Sequence, residues 1–527
     1  MPKTPELVAA EGHTGHRDTS IFLIAFAFIA MLGIVWSLAS PLFSIPDENA
    51  QATKAIAQVR GEVIGKVEPG QPYPVVNLPP GYAYNPSSVC YLFVTTKSAH
   101  CPSSYGDGTG NAYFSTWVAT YNPIYYYIVG WPSLIFANGA VGLYAMRIVS
   151  ALLGALLLAW AFQIALSSRA SRWIPFGLAV AAGPMVLYLF GSINPNGAEI
   201  AAAAALWVAL VRLLEQHDES RSGTWSSLPG WYLWLVVSVS AIVLANARSV
   251  GPLWLVIVVV LSLVVCGPRA ARALFTRRSS YPWLAGIAAG TIFSVAWTFA
   301  TGGASGQAGV NDVPFVGAGF VTGFLAMLRR TPIYVKEGIG VFGWLDTTLP
   351  VMVYIVFAVA LGVLVVLALA GTNRRGAIAM SSLLAAAILV PAIVQGATIA
   401  RTGLIWQGRY GLFLYVAIPL LAAWLLSGPA GKRLAFLSTW VTWIGIFLMC
   451  TFSIVAFAFV LRRYVTGLGA SIGEILAPPW QPPLGWETLF VAYVAVTLGM
   501  GAWLGLAARR VALIEDAADL ELDASRA

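Results

Sequence analysis

The chain has 527 residues, of which 58% are hydrophobic and only 10% are charged. Soluble globular proteins carry about 25% charged residues, so there is too little polar surface here to cover a water-facing exterior. The formal net charge of +8 falls in short basic clusters between apolar runs, which is the pattern of membrane loops and argues against a nucleic-acid partner.

Met1 to Ser20 read as a polar tail of mixed charge, and the apolar run that follows is too long for an ordinary cleaved signal core. It reads as a retained first helix. A bilayer span takes about 20 apolar residues in a helix. The runs near 21–43, 142–166, 173–193, 197–213, 230–247, 251–266, 282–301, 348–371, 377–397, 410–427, 434–461 and 487–507 qualify. The sequence therefore predicts an all-α polytopic membrane protein with about twelve transmembrane helices.

Basic residues set the orientation. With the N-terminus inside, the inner loops hold Arg169 and Arg172; Arg212 and Arg221; Arg269, Arg272, Arg277 and Arg278; Arg374 and Arg375; Lys432 and Arg433; Arg509 and Arg510. The stretch 123–137 tempts a further span, but counting it would invert every later loop, so it reads as a juxtamembrane or re-entrant element. The expected organisation is a cytoplasmic tail (1–20), a transmembrane domain (21–507) and a cytoplasmic acidic tail (508–527). Large extracytoplasmic loops are expected at 44–141, 302–347 and 462–486. Cys90 and Cys101 share the first of these, where a disulfide is plausible outside the cytoplasm.

Charges at the outer ends of helices are the functional candidates, because charge near a bilayer is costly. Asp47 and Glu48 directly follow the first helix and suit a general base at the membrane edge. The competing account is a short helix capped by Ser44, with acidic residues favoured by the helix dipole. Arg147, Arg248, Arg401 and Arg409 fall on the same side, and the arginine fork suits phosphate oxygens; the alternative is snorkelling to lipid head groups. Asn194, Asn196 and Glu199 form a polar turn that reads either as structure or as part of a sugar site. Trp344 with Asp346 has the make-up of a sugar-stacking pair, or of an interfacial belt residue beside an acid. The four histidines are poorly placed for catalysis, and no nucleotide-binding motif is present.

The ordered set Pro46-Asp47-Glu48, Asn122-Pro123-Ile124-Tyr125-Tyr126, Tyr144-Ala145-Met146-Arg147, Asn194-Pro195-Asn196-Gly197, Phe342-Gly343-Trp344-Leu345-Asp346 and Gln407-Gly408-Arg409-Tyr410 resembles the bacterial membrane-protein family known as domain of unknown function 2142. The acidic pair opening a large first loop also looks like the glycosyltransferase-C superfamily. One departure is that Asn49 and Gln51 stand where a Pro and then a His are expected. The resemblance implies transfer of a sugar from a polyprenyl-phosphate donor, with inversion, to a cell-envelope glycan, lipid or protein acceptor outside a bacterial inner membrane. It makes Asp47 the base, Glu48 its support, and Arg248, Arg401 and Arg409 the holders of the donor phosphate. Arg147 joins the phosphate set by position, and Gln407 the sugar-binding set with Trp344, Asp346, Asn194, Asn196 and Glu199. There is no dedicated metal cluster, although a divalent cation shared by Asp47, Glu48 and Asp346 is compatible with the sequence. The competing readings are a transporter or flippase of lipid-linked sugars, and a non-catalytic polysaccharide-assembly protein. Against transport, the chain shows no internal repeat and its conspicuous charges lie at helix ends.

Overall fold

Inside a bilayer every backbone N–H and C=O must find its partner within the chain, and the long apolar runs do this as helices. A computed structural model describes residues 5–102, 105, 112–168, 171–216, 228–303 and 313–524. Arg169, His217 and Arg221 lie outside the described residues. The first helix, α1 (Pro5–Ala39), continues the apolar run back through most of the polar tail. The chain then remains on one side of the helical array, termed here the loop face. There it forms α2 (Glu48–Gln58), the antiparallel pair β1 (Val75–Leu78) and β2 (Ala112–Ser115), and the short helices α3 (Pro123–Gly130) and α4 (Pro132–Ile135). Val75 pairs with Ser115 and Leu78 with Ala112. The 8 residues of α3 rise only about 12 Å, far less than a ~30 Å bilayer core, and Pro132 stops their continuation.

The array then alternates across the membrane through α5 (Gly139–Ser168), α6 (Trp173–Ala181) with α7 (Pro184–Phe190), α8 (Pro195–Gln216), α9 (Gly230–Ala247) and α10 (Gly251–Cys266). After a short basic helix, α11 (Pro268–Thr276), it continues with α12 (Tyr281–Ala300). The loop-face helix α13 (Phe320–Gly340) leads into a two-residue ladder of β3 (Val341–Phe342) and β4 (Thr347–Thr348). The remaining helices are α14 (Val351–Ala370), α15 (Arg374–Thr402), α16 (Leu412–Tyr415) with α17 (Ala417–Leu426), α18 (Ala435–Val465) and α19 (Trp486–Ala524). Ten helices among the described residues are long and apolar enough to span, or up to 12 if two bent pairs each count as one. The protein is thus an all-α polytopic membrane protein.

Three features depart from the sequence expectation. The span expected at 173–193 is broken, with α6 and α7 bent by 52°. Pro184 removes an N–H at the break, which is the usual cause of such a kink. Secondly, α11 turns away from α10 by 118° and lies as a basic element on the face opposite the loop face. Thirdly, α13 occupies much of a region read only as loop. Its apolar residues are interleaved with Arg329, Arg330, Lys336 and Glu337, so no continuous run announces it.

At the centre, α8 is buried along its whole spanning window. The run Ala201–Ala205 is fully buried. Small side chains let α5 and α9 approach α8 closely, the usual basis of packing in lipid, where burial alone gives little drive. Gly154 does the same for α5 against α7: a Cβ there would sit 2.7 Å from the Phe190 ring.

Candidate functional site

Asp47 ends the turn that leaves α1 and occupies the N-cap of α2 in the left-handed region, with φ 65° and no side-chain capping bond. That backbone choice is uncommon for a residue with a Cβ but is one that Asp tolerates. It frees the carboxylate to point away from α2. The helix behind it is clamped by polar contacts. Lys54 donates from its buried ammonium to the Ala119 carbonyl at 2.6 Å and the Val63 carbonyl at 2.9 Å. Tyr126 donates to Gln51 Oε1 at 2.5 Å, and Gln58 donates to the Pro123 carbonyl at 2.7 Å. Burial pushes the Lys54 ammonium down to about 7. Gln51, at the position where a His is expected, is therefore a brace between α2 and α3.

Three carboxylates on this face each take a different arginine. Glu48 and Arg147 are 0% exposed. Glu48 Oε2 accepts from Arg147 Nη2 at 2.5 Å and from the Phe43 amide at 3.0 Å. Its Oε1 accepts from Arg147 Nε at 2.7 Å and from the Ile193 amide at 3.0 Å. The other Arg147 donors go to the carbonyls of Ser37, Ser40 and Pro41. All five guanidinium N–H groups are thus spent on protein oxygens. This corrects two expectations: Glu48 cannot stand in for the base, and Arg147 has no donor left for a phosphate. Together they form the knot that closes the turn after α1.

The second pair is Asp346 with Arg463, at 3.3 Å. Asp346 also accepts from the Phe93 amide at 3.0 Å and from the Thr347 hydroxyl at 2.8 Å. Trp344 donates its indole N–H to the Phe43 carbonyl at 3.0 Å. The expected sugar-stacking pair is instead a staple that ties the β3–β4 turn to the end of α1 and to the Cys90 loop. Both oxygens of Asp346 accept from protein donors, and Trp344 remains partly exposed with its polar end engaged. Cys90 and Cys101 are joined by a disulfide that closes this loop.

The third pair is Asp47 with Arg409, whose Nη2 donates to Asp47 Oδ2. Asp47 keeps 24% of its side chain exposed, whereas Arg409 keeps 3%. Arg409 Nη1 also donates to the Pro46 carbonyl at 3.0 Å, and Asn194 Nδ2 donates to the same oxygen at 3.1 Å. Asn194 therefore positions the backbone before Asp47. Asn196 donates to Glu199 Oε2 at 2.9 Å. Both are buried, and Glu199 lies near enough to Arg248 and Arg409 to feel their charges. The three acids that the sequence allows as a shared cation site, Asp47, Glu48 and Asp346, do not converge, each being paired with a different arginine. Among the described residues no three acid, histidine or cysteine side chains converge.

From Asp47 the polar surface continues inward. The Arg409 and Arg248 guanidinium groups lie 5.1 and 4.0 Å from the Tyr410 ring centre. Arg248 opens onto a cavity of about 250 Å³ lined by Tyr121, Trp254, Gln395, Trp406 and Tyr410. Asn122 Nδ2 donates to Asn246 Oδ1 at 2.7 Å, which fixes the start of α3 against the end of α9 and brings Tyr121 beside Arg248. Gln407 is partly buried, and its Oε1 has no partner among the described residues. Arg401 is exposed in the last turn of α15 and does not line the cavity. Of the four arginines expected around a phosphate, Arg248 and Arg409 come together and Arg147 and Arg401 do not.

Tyr121, Trp254, Gln395 and Trp406 were not legible as site residues in the sequence. Each is a common residue of helix ends and interfaces, and only their convergence from four segments distinguishes them. Arg463 did carry a signal, as half of an Arg462-Arg463 pair at the wrong end of a span for the inside-positive pattern. No curated protein matches the sequence. Residues 30–421 match the family described as predicted membrane protein (DUF2142), and the chain belongs to that family.

Proposed function

We propose that this protein is a membrane glycosyltransferase of the C type, with both termini in the cytoplasm and the loop face outside a bacterial inner membrane. It transfers a sugar from a polyprenyl-phosphate donor to a hydroxyl of a cell-envelope acceptor. The observation that carries the reading is the inequality of the three acid–arginine pairs. Glu48 and Asp346 are consumed by structure, while Asp47 remains reachable from water beside a cavity walled by a second arginine and by aromatic rings.

In this reading Asp47 accepts the proton of the acceptor hydroxyl as its oxygen attacks the anomeric carbon. The bond from that carbon to the phosphate oxygen breaks, the electron pair leaves with the phosphate, and the configuration inverts. Arg248 receives the charge that develops on the leaving phosphate. Arg409 sets the direction of the Asp47 carboxylate, and the aromatic walls offer stacking faces to the sugar. The lipid leaving group suits this address, because its chain stays in the bilayer while its head reaches the loop face. Transport is the weaker reading: the broken pair α6–α7 carries no charged side chain at its bend, where a transporter would gather its ion or substrate ligands.

The test is transfer of a labelled sugar from polyprenyl phosphate in membranes carrying Asp47→Asn. Removal of a general base costs about 10²–10⁴ in rate. Undiminished transfer by the variant would overturn the assignment of Asp47.

A further inference from the structure

A second cavity lies behind the segment that carries Arg409. It measures about 500 Å³, within the ~300–1,000 Å³ of small-molecule sites. Val335 and Ile339 of α13, Phe357 and Leu361 of α14, Leu384 of α15 and Tyr415 of α16 contribute to its wall, which is almost wholly apolar. It is distinct from the polar cavity beside Asp47, since the two share no lining residue. The close approach of Gly338 to the Tyr415 ring and the Gly408 carbonyl lies between them.

Cationic side chains stand next to this cavity on α13, where Lys336 directly follows the lining residue Val335. On α13, Val321, Leu325 and Val335 form an exposed apolar stripe, and Arg329 and Lys336 stand along one edge of it, one heptad apart. The Lys336 ammonium sits 5.2 Å from the Tyr354 ring centre, one turn before Phe357 in α14. Neither Arg329 nor Lys336 has an acidic partner among the described residues. The surrounding surface of α14 and α15 presents Ile355, Val359 and Ile388 to the bilayer. An apolar slot beside cations that have no acidic partner among the described residues has the polarity of an anionic amphiphile.

We propose that this cavity is a resident site for an anionic phospholipid, one acyl chain filling the slot and the head-group phosphate meeting Lys336 and Arg329. The site does not depend on the transfer reaction, and its occupant braces α13 against α14 and α15 behind the Arg409 segment.

The test is native mass spectrometry of the protein released from micelles holding equal phosphatidylglycerol and phosphatidylcholine. The expected result is one phosphatidylglycerol retained in preference to phosphatidylcholine, and no displacement by glycerol phosphate, which has the head group without the chains. Gly362 lines the cavity, and a Cβ there meets nothing within 4 Å, so Gly362→Phe starts from an uncrowded position and takes up space in the slot. It should lower retention by roughly tenfold, the loss of about two buried methylenes. Lys336→Glu should abolish the preference for phosphatidylglycerol. Gly286→Phe, also in open space but outside the cavity, should change nothing. Equal retention of the two lipids by the wild type, or wild-type retention by Gly362→Phe, would overturn the site. Displacement of phosphatidylglycerol by an equimolar polyprenyl phosphate would also overturn it and hand the slot to the donor chain.

Discussion

Asp47 and Glu48 are adjacent in sequence and opposite in circumstance. Glu48 is sealed with Arg147, and each satisfies the other at full burial. Removing one partner of such a pair leaves an uncompensated buried charge, a loss of about 3–5 kcal/mol. Glu48→Gln and Arg147→Met should each lower the melting midpoint of the detergent-solubilised protein steeply. The double variant should lose less than their sum, because the two residues act as one unit. Asp47→Asn, by contrast, alters a group that is 24% exposed and leaves Arg409 an amide oxygen and the Pro46 carbonyl, so it should melt above both single variants while losing transfer. A variant series in which Asp47→Asn is the least stable member would contradict this division. Which acid is which was not legible in the sequence. Glu48 meets its partner 99 residues away, and adjacent acids look alike until the fold assigns each a guanidinium.

The spans are the part of the fold that the sequence states most openly, since a helix in lipid needs an unbroken apolar run and little else. The elements that build the loop face are written less plainly. Helix α13 mixes lipid-facing and charged residues, and α2 is held by Gln51, Lys54 and Gln58, none of which signals burial on its own. Lys54 supplies a measurable consequence of that packing. Its ammonium titrates near 7 in the folded protein and near 10.4 in an unfolded chain. Between these values the unfolded chain binds more protons, so stability rises with pH across this window. The penalty is present in full below about pH 7 and is relieved as pH climbs towards 10. It is worth at most a few kcal/mol at about 1.4 kcal/mol per unit. Melting curves taken from pH 7 to 10 should climb for the wild type relative to Lys54→Met, whose midpoint lacks this component. Parallel curves for the two proteins would show that Lys54 titrates in the fold as it does in the unfolded chain.

Across the whole molecule, the cations of the loop face divide into a bonded set and an exposed set. On the loop face, Arg60, Arg147, Arg409, Arg463 and Lys54 are bonded to protein oxygens, whereas Lys66, Lys97, Arg329, Arg330, Lys336 and Arg401 are exposed. On the opposite face, Arg269, Arg272, Arg277, Arg374, Arg509 and Arg510 are exposed. The inside-positive bias acts on charges free to meet the membrane surface during insertion. The short loops of the opposite face concentrate such charges, which is the ground for proposing that the loop face lies outside. Glu68 is exposed on the loop face and Arg272 on the other, so each can carry a single reporter cysteine. In intact cells a membrane-impermeant maleimide should label Glu68→Cys and spare Arg272→Cys. Permeabilisation should make the second site equally reactive. The native thiols interfere little, because Cys90 and Cys101 are bonded to each other and Cys266 is buried, while a Cys450→Ala background removes the remaining one. The reverse labelling pattern would place Asp47 in the cytoplasm, beyond the reach of any envelope acceptor. It would remove sugar transfer as the function while leaving the arrangement of helices and ion pairs intact.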